Sequence, residues 1–238
     1  MTVTTLKEAY ELVGKPTTDN SKMTATLCFN TDPELCNTGS ELRKIADSVC
    51  SFCYSMRLCN FRKNVKLSYR RNTELLISAL DDMGYPRVAE IMSFIIGKKK
   101  QTMGITKVRI KDGGDAVSEL EFFMWVEVAR RCRDQKFWCP TKEYGWLRSM
   151  LRKVKDIPPN IIFRVSSPKV NQLPMKEFKY RSVVYTQDKY DSVVDTDSIK
   201  KCRAKYQGNA CLECTYCYDP KVNTVVYPPN KIKESKFQ

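Results

Sequence analysis

Apolar positions along this chain repeat at two periods, one helical and one alternating, and the switching between them predicts a layered α/β fold. Residues 6–13 carry apolar side chains at helical spacing, and residues 24–29 form a short run suited to a strand. Thr38-Gly-Ser-Glu41 reads as a capping box, ahead of Leu42, Ile45, Ala46 and Val49 at helical spacing. Residues 67–83 predict a helix with Leu75, Leu76, Ala79, Leu80 and Met83 turned inward. Gly84-Tyr-Pro86 breaks it, and Pro86 opens a second helix through Ile96. Lys98-Lys-Lys100 is expected in a solvated turn.

Residues 106–111 alternate, with Val108 and Ile110 on one side and Lys107, Arg109 and Lys111 on the other. A long amphipathic helix is expected over 116–132, with Val117, Leu120, Met124, Val128 and Cys132 as its apolar stripe. Further strands are expected at 136–139, 160–165, 183–185 and 224–227, and a helix at 144–154. Strands and helices alternating at this spacing mean βα units and a largely parallel sheet. The expectation is one compact α/β domain over 1–238, an irregular or incomplete (β/α) barrel. It carries an N-terminal Cys-rich segment at 24–60 and a Cys-rich metal-binding knuckle within 202–231.

Composition narrows the chemistry. Of the 238 residues none is histidine, which excludes Ser-His-Asp and Cys-His catalysis in their usual forms and all His-ligated zinc sites. A general acid or base must be Asp, Glu, Lys, Tyr or Cys. The balance of 41 basic against 27 acidic residues gives a formal charge of +14, which favours a polyanionic partner such as nucleic acid. No run of eighteen apolar residues and no leader-like start is seen, so a protein of the cytoplasm, without a membrane partner, is expected. Arg57, Arg62, Lys63, Lys66, Arg70 and Arg71, interleaved with Phe61 and Tyr69, suit phosphate contact with base stacking, or a solvated basic helix face.

The eleven cysteines fall into groups. Cys211, Cys214 and Cys217 are spaced to converge on one metal, with Cys202 as fourth ligand, and zinc is the expected ion. Cys36, Cys50 and Cys53 form a second candidate metal site, for an ion or an iron–sulfur cluster, with small buried thiols as the bland alternative. The Cys-x-x-x-Cys-x-x-Cys spacing typical of radical-generating clusters is missing. Asp112-Gly113-Gly114-Asp115 follows a predicted strand, where the loops of α/β folds carry their sites. Its carboxylates are the candidate catalytic pair, its glycines would let a flat ligand approach, and Asp115 would otherwise cap the next helix. Arg109, Lys142 and Ser166 are candidate substrate-binding residues at the same expected edge, with Glu143 and Tyr144 beside them.

Cys36-Asn-Thr-Gly-Ser, Cys50-Ser-Phe-Cys53-Tyr-Ser-Met-Arg, Val108-Arg-Ile-Lys-Asp112-Gly-Gly-Asp115, Lys136-Phe-Trp-Cys-Pro-Thr-Lys142 and the block from Cys211 to Pro228 resemble, in order, the phage "gene product 88" family. That family looks related to phage DNA transglycosylases similar to tRNA-guanine transglycosylases. The resemblance implies a (β/α) barrel, a structural zinc site near the C-terminus, and exchange of guanine in DNA, or in RNA, for a 7-deazaguanine base through an Asp nucleophile in the infected host cell. Asp112 carries over as the nucleophile and Asp115 by proximity. Those enzymes use a histidine after their zinc cysteines; Asn230 stands roughly there, and Cys202 is the substitute. The other readings are a non-catalytic zinc protein that binds nucleic acid, and an iron–sulfur redox enzyme.

Overall fold

The computed structural model describes residues 2–18 and 22–229. Helix α1 (Leu6–Val13) starts at a complete capping box in which the Thr5 hydroxyl accepts from the Glu8 amide and the Glu8 carboxylate accepts from the Thr5 amide. Strand β1 (Thr26–Phe29) follows. Three short elements then carry the first cysteines: α2 (Asn37–Arg43), a 3-10 turn at Val49–Phe52, and α3 (Tyr54–Phe61). The expected Thr38–Glu41 capping box does not form. Cys36 is the N-cap, and Thr38 is drawn to Glu143 instead.

Helix α4 (Lys63–Met103) joins the two expected helices across one kink. Gly84 takes φ 72° and ψ 159° there, a conformation open to glycine, and Pro86 restarts the helix in the position where its missing N–H does no harm. The three lysines at 98–100 are helical, not a turn, because the helix runs on to its left-handed cap at Gly104.

The rest alternates: β2 (Lys107–Ile110), α5 (Glu119–Arg131), β3 (Lys136–Thr141), α6 (Tyr144–Lys153), β4 (Ile161–Ser166), β5 (Arg181–Val184), α7 (Gln187–Ser192), β6 (Ile199–Lys201) and β7 (Thr224–Tyr227). The helix expected from residue 116 begins three residues later, with Ser118 at its N-cap position. Leu120 of the predicted stripe is exposed, while Phe122, Trp125 and Ala129 join Met124 and Val128 in the core.

The sheet has seven strands in the order β1-β2-β3-β4-β5-β7-β6, and every pairing is parallel. It does not close: β1 and β6 are its two ends among the described residues. The molecule is thus a single mixed α/β domain with an open parallel sheet. Alternate strand residues divide its faces. Leu27, Phe29, Val108, Ile110, Phe137 and Cys139 pack into the helix-covered core. Cys28 and Trp138, one step out of phase, pack on the other side against Met23 and Tyr218, so the C-terminal Cys segment covers the face the helices leave. Because all strands run one way, their C-terminal ends share one edge. No helix of the described residues is long and apolar enough to cross a membrane.

Candidate functional site

Three cysteines of the loop after β1 line one cavity with the loop after β2. Thirteen residues separate Cys36 from Cys50 in the sequence. Helix α2 and the Val49–Phe52 turn fold that interval back, and Cys53 then stands at the N-cap position of α3. Gly39 measures the closeness of the result. A Cβ at residue 39 would lie 2.9 Å from Cys36 Cβ, 3.6 Å from Cys36 Sγ and 3.9 Å from Cys50 Sγ. Cys36, Cys50 and Cys53 line one cavity of about 220 Å³. Burial pushes the Cys36 thiol up to about 12, with Asp115 and the other two thiols adding to the rise. Burial also raises Cys50, against the pull of the Lys142 ammonium.

The cavity's other wall is the carboxylate turn. Asp112, Gly113, Gly114 and Asp115 line it together with Arg109, Lys142 and Ser166, so all seven residues proposed from sequence for catalysis and substrate binding do meet. Their roles differ from expectation. Asp115 is a latch: its Oδ1 accepts from the Ala116 amide at 2.8 Å and the Thr141 hydroxyl at 2.7 Å, and its Oδ2 accepts from the Lys142 amide at 2.8 Å. Burial nonetheless raises its carboxyl to about 6. The turn's glycines serve packing, not ligand approach. A Cβ at Gly113 would meet Ser55 Oγ at 2.5 Å, and one at Gly114 would meet Thr31 Oγ1 at 2.3 Å. Asp112 faces the cavity edge, ion-paired to Arg109 Nη1 at 2.6 Å, with the Tyr54 hydroxyl donating at 3.3 Å. The Arg109 guanidinium in turn lies 4.7 Å from the centre of the Trp138 ring.

Glu143 ties the thiol loop to the end of β3. Its carboxylate accepts from the Thr38 amide and hydroxyl, each at 2.8 Å, and from Asn37 Nδ2 at 3.2 Å. Sequence reasoning placed Glu143 at the right edge but assigned it to substrate; Gly39, Ser55 and Trp138 it missed. Ser55 Oγ is buried without a hydrogen-bond partner on the same cavity wall. The strand alternation that turns Arg109 away from the core would have predicted the same for Trp138, its register partner on β3.

The mouth continues across the sheet. Arg109, Pro140, Lys142 and Ser166 also line a cavity of about 160 Å³ that extends to Ser182, Cys202, Cys211 and Cys217. Beyond it all four C-terminal cysteines line a third cavity, of about 430 Å³. Cys214 is exposed and the other three are half-buried. No group of three or more Cys, Asp or Glu among the described residues is arranged to hold a metal ion. Asn230, weighed as a counterpart of a zinc histidine, lies outside the described residues.

The basic run is split. Lys66 pairs with Glu34 at 2.7 Å, and Arg70 pairs with buried Asp32 at 2.6 Å and with Glu34 at 2.8 Å, which ties α4 to the turn before Cys36. Arg57, Arg62, Lys63 and Arg71 are exposed, and Phe61 beside them is 90% exposed.

Fold and site together define an α/β protein with an open parallel sheet and a cysteine- and carboxylate-lined cavity at its C-terminal edge. The chain belongs to the gene product 88 family, whose sequence model matches residues 8–226. No curated protein and no solved structure matches it.

Proposed function

We propose that the chain is an iron–sulfur enzyme in which Cys36, Cys50 and Cys53 hold a four-iron cluster with one iron left free of protein ligands. The carrying observation is the approach of Cys36 and Cys50 sulfurs to one point above Gly39, in a cavity that Cys53 also lines. A single zinc or iron ion needs every thiolate about 2.3 Å from one centre. In a cluster each iron brings its own thiolate, so the sulfurs stand farther apart. The compact radical-cluster spacing is absent from the sequence, but α2 folds the interval between Cys36 and Cys50 back so that both sulfurs come near Gly39.

Such a cluster, held by Cys36, Cys50 and Cys53, would supply radical chemistry together with S-adenosylmethionine, the electron coming from an external low-potential reductant. The chain's own residues bind and orient. Lys142 and Ser166 line both this cavity and the next, with Lys142 as the cation, and Arg109, ion-paired to Asp112, stacks on Trp138 to form a flat wall. That combination suits an anionic, ring-bearing substrate such as a nucleotide unit. The exposed Arg57, Arg62, Lys63 and Arg71 with Phe61 suit a nucleic acid that carries it.

The test is anaerobic reconstitution with iron and sulfide, then reduction in the presence of S-adenosylmethionine. A brown protein that forms 5′-deoxyadenosine, and fails to do so as Cys50→Ser/Cys53→Ser, is expected. A wild-type chain that takes up no iron overturns the proposal.

Base exchange through Asp112 is the second reading, favoured by the carboxylate's place on the cavity wall between Arg109 and Tyr54. In that reading Asp115 cannot serve as its proton-transfer partner without breaking the latch to Thr141 and Lys142. A covalent DNA adduct formed by the metal-free chain and lost in Asp112→Ala would favour this reading, with 7-deazaguanine as the incoming base. Unchanged base exchange in that variant would remove Asp112 from it.

A further inference from the structure

We infer that Cys202, Cys211, Cys214 and Cys217 hold a second iron–sulfur cluster, fully ligated by protein, in place of the zinc ion that their spacing suggests. These four ligands are separate from Cys36, Cys50 and Cys53, although Trp138 stands between the two sites.

Placement comes first. All four cysteines line one open-mouthed cavity of about 430 Å³, shared with thirteen other residues. An iron–sulfur cluster is held by a set of four thiolates in which each iron has its own cysteine.

Hydrogen bonds anchor the backbone that carries these thiols. The Cys202 amide donates to Val226 O and the Cys211 amide to Lys22 O, each at 2.7 Å. Arg164, wholly buried, donates through Nη1 to the carbonyls of Arg181 and Asn223, and through Nη2 to those of Val222 and Tyr216. A guanidinium spent on four backbone carbonyls holds the loop that presents Cys217.

The lining also contains hydrogen-bond donors that await an acceptor. Trp138 Nε1 and the Tyr218 hydroxyl are buried without a partner, and both residues line this cavity. An unpaired buried donor is destabilising, so each favours a bound acceptor. Bridging sulfides and thiolates are acceptors, and hydrogen bonds to them set a cluster's potential. Tyr227, whose hydroxyl lies 3.2 Å from Cys217 Sγ, is placed for the same task. Lys107, Lys201 and Arg203 outnumber Glu213 in the lining, and that excess of positive charge suits an anionic cluster.

Iron, acid-labile sulfide and zinc are to be counted in the anaerobically purified and reconstituted full chain, in Cys211→Ser/Cys214→Ser and in Cys50→Ser/Cys53→Ser. The Cys211→Ser/Cys214→Ser protein is expected to lose about two to four irons per chain with matching sulfide, according to cluster type. The Cys50→Ser/Cys53→Ser protein is expected to remain coloured, and adding Tyr227→Phe to it should shift its midpoint potential. Iron unchanged by Cys211→Ser/Cys214→Ser, or one zinc per chain lost with it, overturns the inference. A colourless, iron-free Cys50→Ser/Cys53→Ser protein overturns it as well, whether or not the other variant folds. If Cys50→Ser/Cys53→Ser keeps all its iron, the proposed function fails and the second cluster stands.

Discussion

The Glu143 carboxylate receives the Thr38 amide at 2.8 Å, so the loop after β3 grips the helix that follows Cys36. Two distant stretches of chain are thereby locked around the three-thiol cavity. Glu143→Ala leaves the Thr38 amide and hydroxyl and the Asn37 amide without their acceptor. These donors are at most half-buried, so losing three bonds to a carboxylate costs about 2 kcal/mol in sum. For a chain of this size that lowers Tm by about 4–8 °C. Thermal unfolding of the metal-free protein checks the number, and iron uptake in Glu143→Ala should fall with it.

Gly39 is the sharpest steric test. Ala in a helix interior normally gains about 0.5–1 kcal/mol over Gly. At Gly97, where an added Cβ meets nothing within 4 Å, Gly97→Ala should show that gain. At Gly39 the methyl would press on Cys36 and stand near the Cys50 sulfur. Gly39→Ala is expected to cut iron uptake severalfold, while Gly97→Ala leaves it unchanged. Equal iron content in the two variants would contradict the placement of the cluster.

A buried ion pair fastens β2 to α5. Lys111 Nζ lies 2.6 Å from Glu121 Oε1, with the two side chains 2% and 0% exposed. Glu121 also accepts from Trp125 Nε1 and from the Val117 amide. Glu121→Gln strands a buried ammonium and should cost about 3–5 kcal/mol in denaturant unfolding. Lys111→Met combined with Glu121→Leu should recover much of that loss, because no charge is then left buried.

Asp115 makes stability depend on pH with a definite sign. Its folded pKa of about 6 lies above its ordinary value of 3.8, chiefly through burial. Between those values the folded state keeps a proton that the unfolded state releases, so this group's contribution falls as pH rises from about 4 to 6. The fall is on the order of 2–3 kcal/mol. Urea unfolding of the metal-free protein at pH 4, 5, 6 and 7 should show wild type losing stability relative to Asp115→Asn across that window. A difference independent of pH would refute the assignment.

Much of the sheet could be read directly because parallel strands buried on one face and alternating on the other leave a clear pattern. Strand β7 and helix α1 were legible to the residue, and the C-terminal edge correctly gathered Arg109, Asp112, Lys142 and Ser166. What escaped was long-range. Thr38 and Glu41 satisfy the local rule for a cap, yet Glu143, more than a hundred residues away, outcompetes Glu41 for Thr38. Asp115 looked like a helix cap or an acid; its fate was decided by Thr141 and the Lys142 amide across a strand pairing. The missing Cys-x-x-x-Cys-x-x-Cys spacing says nothing of how α2 folds the interval between Cys36 and Cys50. Strand β6 and helix α7 are short and polar, so neither carries a periodic signal.

The central claim is a three-thiolate cluster with one iron open to a ligand. Electron paramagnetic resonance of the reduced Cys211→Ser/Cys214→Ser protein isolates that site. The account predicts a four-iron signal whose g values move when S-adenosylmethionine is added. A protein with no signal, or a signal indifferent to the addition, would contradict it.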